Sequence, residues 1–320
     1  MTDQKPDSPH QKKIKTVAVL MGGWSNERDV SMVSGTACAK GLREAGYNVK
    51  EIVVGRNLTS LAEALSYTPD VVFNALHGIG GEDGCIQSVL DILGLKYTHS
   101  GRLASALAMD KQRSKHLVSA NGVRVAEGHV LSTETLKSGA LPLEAPYIIK
   151  PNQEGSSVGV YIIRDQDNRL NEILQNWDYG DALVERYIPG RELTVSVMSE
   201  GHGKAKALAV TEINPKAGFY DYEAKYADGG SAHVIPADIS DDVAKQAMEW
   251  AVQSHLALGC SGISRTDFRY DDSQTGTDGL YYLETNTQPG MTPTSLVPEQ
   301  AAFCGMDFKA LVQWMVENAD

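Results

Sequence analysis

Apolar residues in this chain arrive in two rhythms. From Thr16 the run TVAVLM is followed by a Gly-Gly turn, a helical stretch from about Asp29 to Ala45, the strand-like VKEIVV, the helical LAEAL and the strand-like DVVFNAL. Short apolar runs alternating with helical periodicity predict a parallel sheet covered by helices. In such a sheet ligands gather beyond the carboxyl ends of the strands, and the loops MGGWSNERD and LHGIGGEDG both fall at such ends. They are candidate site loops.

Farther along, the rhythm changes. A helical stretch from roughly Leu103 to Ala120 leads into short paired strands, YIIK and VGVYIIR, around the loop PNQEGSS, with further strand-like runs at ALVERYI and ELTVSVM. These runs predict a small middle unit built on an antiparallel sheet. After about Gly190 come a long polar and aromatic segment, AGFYDYEAKYADGGSAH, a helical run from Asp241 to Leu258, the strands ISRTDFRY and LYYLETN, and a final helix over about Asp307 to Asn318. An aperiodic segment of that length in an enzyme is usually functional or disordered, and Phe219, Tyr220, Tyr222 and Tyr226 favour an ordered lid. The polar start, Met1 to Gln11 with Pro6 and Pro9, reads as a tail outside the chemistry.

Composition narrows the classes. At 320 residues the chain exceeds the size at which one core usually stops growing, so two or three packed units are expected. With 42% hydrophobic and 22% charged residues, and 30 glycines clustered between apolar runs, disordered and fibrous classes are disfavoured. A formal net charge of -12 opposes a nucleic-acid partner, although local cations and backbone N–H groups can still hold a single nucleotide. Cys38, Cys85, Cys260 and Cys304 are far apart with no CxxC pair, which suggests neither a disulfide framework nor a zinc site and fits the reduced cytoplasm. Lys12, Lys13 and Lys15 precede only the short stretch Val17 to Met21, too brief for a signal peptide, and no apolar segment is long enough to span a bilayer.

Chemistry concentrates in the last two strands. Side chains alternate faces, so Arg265 and Asp267 share one side of their strand while Glu284 and Asn286 share one side of theirs. Asp, Glu and Asn are hard oxygen donors suited to Mg²⁺ held jointly by carboxylates and nucleotide phosphates, and Arg265 beside them suits a substrate or phosphoryl oxygen. Exposed ion pairs are the plainer reading of any one of these carboxylates; the combination, running into the Gly-rich NTQPGMTPTSL, favours a site. Lys150 with the loop Pro151 to Gly159 is either an ordinary hairpin turn or a flexible tip closing over phosphates; it is not a Walker A loop. In MGGWSNERDVS the G-x-G-x-x-G pattern is missing, and Glu27 is either a favourable charge near a helix N-terminus or an anchor for a substrate ammonium. His77 can be a plain loop histidine.

Taken in order, MGGWSNERDVS, ALHGIGGEDG, SALAMDK, KPNQEGSSVG, FYDYEAKY, ISRTDF and LETNTQPGMTPTSLVP resemble the motif series of the D-alanine–D-alanine ligases over nearly the whole chain from Lys15 onward. The resemblance implies a mixed α/β, three-part ATP-grasp fold. Its parts are a tail over 1–13, an N-terminal parallel-sheet α/β substrate unit over 14–102, a central unit over 103–189 and a carboxyl-terminal catalytic unit over 190–320. The last two are α+β units whose antiparallel sheets clamp ATP. It also implies ligation of two D-alanine molecules through an acyl phosphate, for peptidoglycan precursor synthesis, by a cytoplasmic homodimer using ATP and Mg²⁺ (or Mn²⁺), normally two ions.

Carried over by position, the resemblance assigns Lys111 and Lys150 to ATP phosphates and Glu185, Tyr187, Ile188 and Glu192 to the adenine and ribose pocket, with Ser156, Ser157, Phe219 and Lys225 completing the ATP contacts. Asp267, Glu284 and Asn286 become the metal ligands. Glu27 receives the first D-alanine's ammonium next to His77, and Ser156 and Tyr226 join Glu27 in a hydrogen-bonded group that ties the lid to the site. Arg265 and the Gly290 N–H face the developing oxyanion, while Lys225, Ser295 and Leu296 receive the second substrate's carboxylate and nearby phosphate charge.

Thr285, Gln288, Pro293 and Thr294 depart from the commonest family pattern, which bears on second-site selectivity. Tyr226 stands where D-alanine–D-lactate ligases carry a different residue, typically His, and so favours an amine acceptor. The competing readings are a D-alanine–D-lactate or D-alanine–D-serine ligase and, in another class, an ATP-binding regulatory module without turnover. Asp267, Glu284, Asn286 and Arg265, all intact, argue against the latter.

Overall fold

Strand β1 (Thr16–Gly22) buries Val17, Val19 and Met21 on one face and Ala18 and Leu20 on the other. A strand apolar on both faces belongs at the centre of a covered sheet. It is the middle strand of a parallel sheet, between β2 (Asn48–Val54) and β3 (Val71–Asn74). Helix α1 (Arg28–Glu44) packs on one face together with the chain's last helix, α10 (Phe308–Glu317), through Cys38, Leu42, Leu311 and Val312. Helices α2 (Leu58–Ala64) and α3 (Cys85–Ile92) close the other face with Leu61, Ile86 and Leu90. The computed structural model describes residues 15–200, 204–215, 231–292 and 294–320. Phe219, Lys225 and Tyr226, with most of the expected lid, and Pro293 lie outside the described residues.

Two antiparallel sheets follow. The smaller has the order β4 (Gly128–Leu131), β7 (Ala182–Arg186), β5 (Tyr147–Pro151), β6 (Tyr161–Ile163). Helices α6 (Thr133–Lys137) and α7 (Leu170–Gln175) complete its core through Leu136, Leu174 and the buried Trp177. The larger sheet has the order β10 (Ser231–Val234), β9 (Ala205–Pro215), β8 (Arg191–Ser199), β11 (Gly262–Tyr270), β12 (Leu280–Asn286). Helix α8 (Asp241–Ala257) covers it, and α9 (Leu296–Phe303) follows the turn after β12.

Two sequence expectations change. The single helix expected over Leu103 to Ala120 is two helices, α4 (Arg102–Met109) and α5 (Lys111–Ala120), broken at Asp110, whose backbone is extended (φ -84°, ψ 97°). There the Asp110 carboxylate accepts from the Arg113 N–H at 3.0 Å and caps α5, a helix-start signal inside an apolar rhythm. Both helices pack on the larger sheet through Ala104, Ala108 and Val118. Finally, the run ELTVSVM is β8, paired with β9 and β11, and so belongs to the larger sheet instead of the middle unit.

The link between β7 and β8 turns at Gly190 (φ +89°), where a Cβ would stand 2.2 Å from the Tyr270 carbonyl oxygen. Only glycine fits both that backbone and that contact. Gly190→Ala is therefore expected to cost more than about 1 kcal/mol and to lower the urea midpoint; an unchanged midpoint would contradict this packing.

Candidate active site

Where the three sheets meet, a cavity of about 490 Å³ opens. Its wall takes Glu27 from the start of α1, His77 from the β3–α3 loop, Lys111 from α5, Ser156 from the β5–β6 hairpin tip and Arg265 from β11. Glu284, Asn286, Gly290, Ser295 and Leu296 close the remaining side. Residues more than 250 positions apart in the sequence thus share one wall.

The hairpin tip is held from its base. Asn152 and Gln153 side chains donate to the Asp110 carboxylate at 3.0 and 3.1 Å, and the Lys111 and Gln112 N–H groups donate back to Asn152 at 3.1 Å each. At the tip, Ser156 and Ser157 both adopt left-handed backbone (φ 51° and 58°), which folds the loop back sharply. Gly155 lies against Glu27: a Cβ there would stand 2.8 Å from Glu27 Oε1, so glycine permits the close approach.

Three lysines converge behind the tip. Lys111 Nζ donates to the Glu154 carbonyl at 2.5 Å and lies 3.6 Å from Glu284 Oε2. One carboxylate, Glu185 on β7, serves both other ammonium groups: Lys115 Nζ donates at 2.5 Å to one oxygen and Lys150 pairs with the other. Burial alone would push the Glu185 carboxyl up, but the two ammonium charges outweigh it and hold it well below the usual carboxylate range. Lys115 is itself pulled below the ordinary lysine value, first by burial and then by the Lys150 charge, against which Glu185 does not fully compensate. The directions are consistent: two cations on one anion leave an excess positive charge, an arrangement suited to an incoming polyphosphate. Sequence reasoning missed Lys115, although its spacing of four from Lys111 on one helix is a readable signal.

The opposite end is built for a small zwitterion. His77 Nδ1 lies 3.1 Å from Glu82 Oε1 and Nε2 lies 3.1 Å from Ser34 Oγ, while Glu27, His77 and Glu82 bring ligand atoms within 4.8 Å of one another. Burial opposes the imidazolium, yet Glu82, Glu27 and the Gln288 carbonyl together hold the His77 pKa above its ordinary value. Glu82 and Ser34 were not singled out from sequence.

Asp267 and Glu284 stand directly opposite across β11 and β12, as do Arg265 and Asn286. A register shift makes this possible. Phe268 pairs with Tyr282, so Leu283 is an extra residue that moves Glu284 off the core face occupied by Tyr282. Arg265 grips Asp267 with two contacts (Nε–Oδ1 2.9 Å, Nη2–Oδ2 2.7 Å), and Thr194 Oγ1 donates to Oδ1 at 2.6 Å. Asn286 Oδ1 accepts from the Gln288 N–H at 2.8 Å. Ser295 Oγ accepts from the Thr292 N–H at 3.0 Å and so closes the turn after β12. Thr285, one of the departures from the family pattern, meets Thr266 across the strands at 3.0 Å.

Other expected site residues stand outside the cavity wall. Asp267, Lys150 and Glu185 are buried behind it; Ile188 is buried beyond β7, where its carbonyl accepts from Arg269 at 3.2 Å; Glu192 on β8 lies 3.5 Å from Arg269. Tyr187 shares that linker, its N–H donating to the Pro146 carbonyl at 3.3 Å.

Comparison with known proteins follows the same lines. Residues 118–317 match the family described as D-ala D-ala ligase C-terminus. The chain is 54% identical over 307 residues to the D-alanine–D-alanine ligase of Granulibacter bethesdensis, covering 96% of this chain and 98% of that protein. It is 56% identical over 307 residues to the enzyme of the same name from Acidiphilium cryptum, covering 96% and 99%. Among solved structures, the VanG D-Ala:D-Ser ligase from Enterococcus faecalis superposes with a TM-score of 0.78 at 28% identity over 95% of this chain and 99% of that one. The D-alanine–D-alanine ligase of Bacillus anthracis complexed with ATP gives 0.76 at 29% identity, covering 96% and 97%.

Glu185→Gln would leave two buried ammonium groups without their counterion and is expected to cost about 3–5 kcal/mol in urea unfolding. Because the folded Glu185 pKa is depressed, the stability it supplies is present above the unfolded carboxylate value and is lost as pH falls below it; wild-type and variant stabilities should therefore converge in acid, and a constant difference would contradict the pairing. His77 has the opposite sign: its raised pKa supplies stability below the unfolded value of about 6.5, lost as pH rises through the folded one. In an NMR titration Glu82→Gln should lower the His77 midpoint, and an unmoved midpoint would count against Glu82 as its partner.

Proposed function

The chain belongs to the D-alanine–D-alanine ligase family, and on that premise we propose that it joins two D-alanine molecules with ATP, yielding D-alanyl-D-alanine, ADP and phosphate for peptidoglycan precursors. Its mixed α/β architecture, one parallel and two antiparallel sheets, is the ATP-grasp arrangement. The observation that carries the reading is a cavity lined at once by Glu27, His77 and Glu82, by Lys111, and by Arg265, Glu284 and Asn286, with Lys115, Lys150 and Asp267 buried behind its wall.

In this mechanism Glu27 accepts the ammonium of the first D-alanine beside His77, leaving its carboxylate turned towards the nucleotide. Lys111 and Lys150 hold the phosphates, with Lys115 supplying further positive charge, while Glu185, Tyr187, Ile188 and Glu192 receive adenine and ribose and Ser156, Ser157, Phe219 and Lys225 complete the contacts. The D-alanine carboxylate oxygen attacks the γ-phosphorus, the bond to the β–γ bridging oxygen breaks, and an acyl phosphate and ADP result. The neutral amine of the second D-alanine then attacks the acyl carbon. Arg265 and the Gly290 N–H stabilise the tetrahedral oxyanion, phosphate departs, and Ser295, Leu296 and Lys225 hold the second carboxylate. The acyl phosphate needs a dry site, and Ser156 at the hairpin tip, grouped with Glu27 and Tyr226, closes it.

Asp267, Glu284 and Asn286 fit a hard divalent cation: two carboxylates face each other across neighbouring strands, a like-charge pairing that Arg265 and Lys111 offset. We assign Mg²⁺ or Mn²⁺, normally two ions, to these residues; when bound it would neutralise charge on the transferring phosphoryl group. The unit boundaries at 14–102, 103–189 and 190–320, a homodimer and a cytoplasmic location belong to the same proposal. Among the described residues no helix is long and apolar enough to cross a membrane. All four cysteines are free, in keeping with a reducing compartment.

Incubation with ATP, Mg²⁺ and D-alanine should release phosphate in a D-alanine-dependent manner and give a dipeptide of the expected mass. A clear preference for D-lactate or D-serine as acceptor would overturn the substrate assignment, and nucleotide binding without D-alanine-dependent release would revive the regulatory module. Glu284→Gln removes a charged metal ligand and is expected to lower turnover at least about 100-fold; near-normal kcat would refute its role.

A further inference from the structure

The turn 287–291 after β12 carries Gly290 on the cavity wall, and it is fastened at both ends to the N-terminal sheet unit. At the near end stands Gln288, only 1% exposed. Its Oε1 accepts from Asn74 Nδ2 at 2.5 Å and its Nε2 donates to the Leu76 carbonyl. Asn74 is fixed in turn, its Oδ1 accepting from the Leu76 N–H at 3.2 Å and its Nδ2 donating to the Gly81 carbonyl at 3.1 Å. The Gln288 N–H donates to Asn286 Oδ1, and its carbonyl bears on the His77 ring. At the far end the Met291 N–H donates to Ser34 Oγ at 3.4 Å, and that same hydroxyl lies 3.1 Å from His77 Nε2. Ser34 is fully buried on α1.

Both fastenings therefore bear on His77, one through the carbonyl of the residue just before it and one through its ring. Only an amide of glutamine's length offers a donor for Leu76 and an acceptor for Asn74 at once; a shorter hydroxyl reaches neither, and a carboxylate lacks the donor. We propose that Gln288 and Ser34 are positioning residues that pin the turn 287–291 to the first-substrate pocket, fixing the distance between His77 and the Gly290 N–H. They touch no reacting atom themselves. The inference rests on the ligase reading, because it assigns a distance that matters only if D-alanine sits at His77 and charge develops at Gly290.

Gln288→Met keeps the side-chain length and removes both hydrogen bonds; Ser34→Ala removes the other pin with little change of volume. Each should lower kcat/KM for D-alanine by about 10- to 100-fold, because small misplacements of aligned groups are costly, while KM for ATP stays within about twofold. The nucleotide lysines sit on α5 and β5, away from the released turn. Since either change releases the same turn, the double variant should be no more than about twofold worse than the poorer single one. Wild-type D-alanine kinetics in a folded single variant, equal rises in both KM values, or losses that multiply in the double variant would each overturn the proposal. Should one variant fail to fold, the other carries the test. A wild-type protein inactive on D-alanine would instead refute the ligase reading itself.

Discussion

Two buried ammonium groups share one carboxylate, and the rest of the site is arranged around that imbalance. Lys115 and Lys150 meet on Glu185 from a helix and a neighbouring strand, with all three groups nearly dry. Removing charges from water costs several kcal/mol apiece unless each finds a partner, so a cavity collecting cations for a polyphosphate must carry its own anions. The same rule recurs around the wall: Arg265 grips Asp267, Lys111 approaches Glu284, and His77 stands among Glu27 and Glu82. Each pairing is complete within the protein, and each includes a group that substrate, nucleotide or metal would engage.

That economy explains why the three sheets have to meet. No single unit supplies all of the charged groups on which the site depends. The parallel sheet contributes Glu27, His77 and Glu82 at its carboxyl ends, as open parallel sheets do. The smaller antiparallel sheet contributes Lys150 and Glu185, and the larger one Arg265, Asp267 and Glu284. Helix α10 returns to the first sheet, and the turn 287–291 is fastened there too, so the first and last parts of the chain are locked together by packing as well as by hydrogen bonds.

Much of this was legible in the sequence because period and spacing are local. The helix–strand alternation of the first unit and the shared face of Arg265 and Asp267 follow from side-chain geometry alone. The break at Asp110 was hidden because the apolar rhythm runs on through it, and the second use of the capping carboxylate, as an acceptor for Asn152 and Gln153, joins it to a distant hairpin. The extra residue at Leu283 was hidden for a similar reason: a bulge shows itself only against the partner strand. Long-range pairing likewise decides that β8 leaves the middle unit. Within the site, Glu82 and Ser34 escaped notice because such polar residues carry no local signature until their partner, His77, is known, whereas Lys115 was signalled only by its spacing of four from Lys111. Gln288 was visible only as a departure from a pattern, with no indication that it spans two sheets.

A crystal structure of the protein with D-alanine, a divalent cation and a non-hydrolysable ATP analogue tests the central claim most directly. The account predicts triphosphate oxygens within hydrogen-bonding reach of Lys111 and Lys150, a cation bound by Asp267, Glu284 and Asn286, and the amino acid's ammonium against Glu27. A nucleotide seated elsewhere, or a cation away from those three side chains, would contradict it.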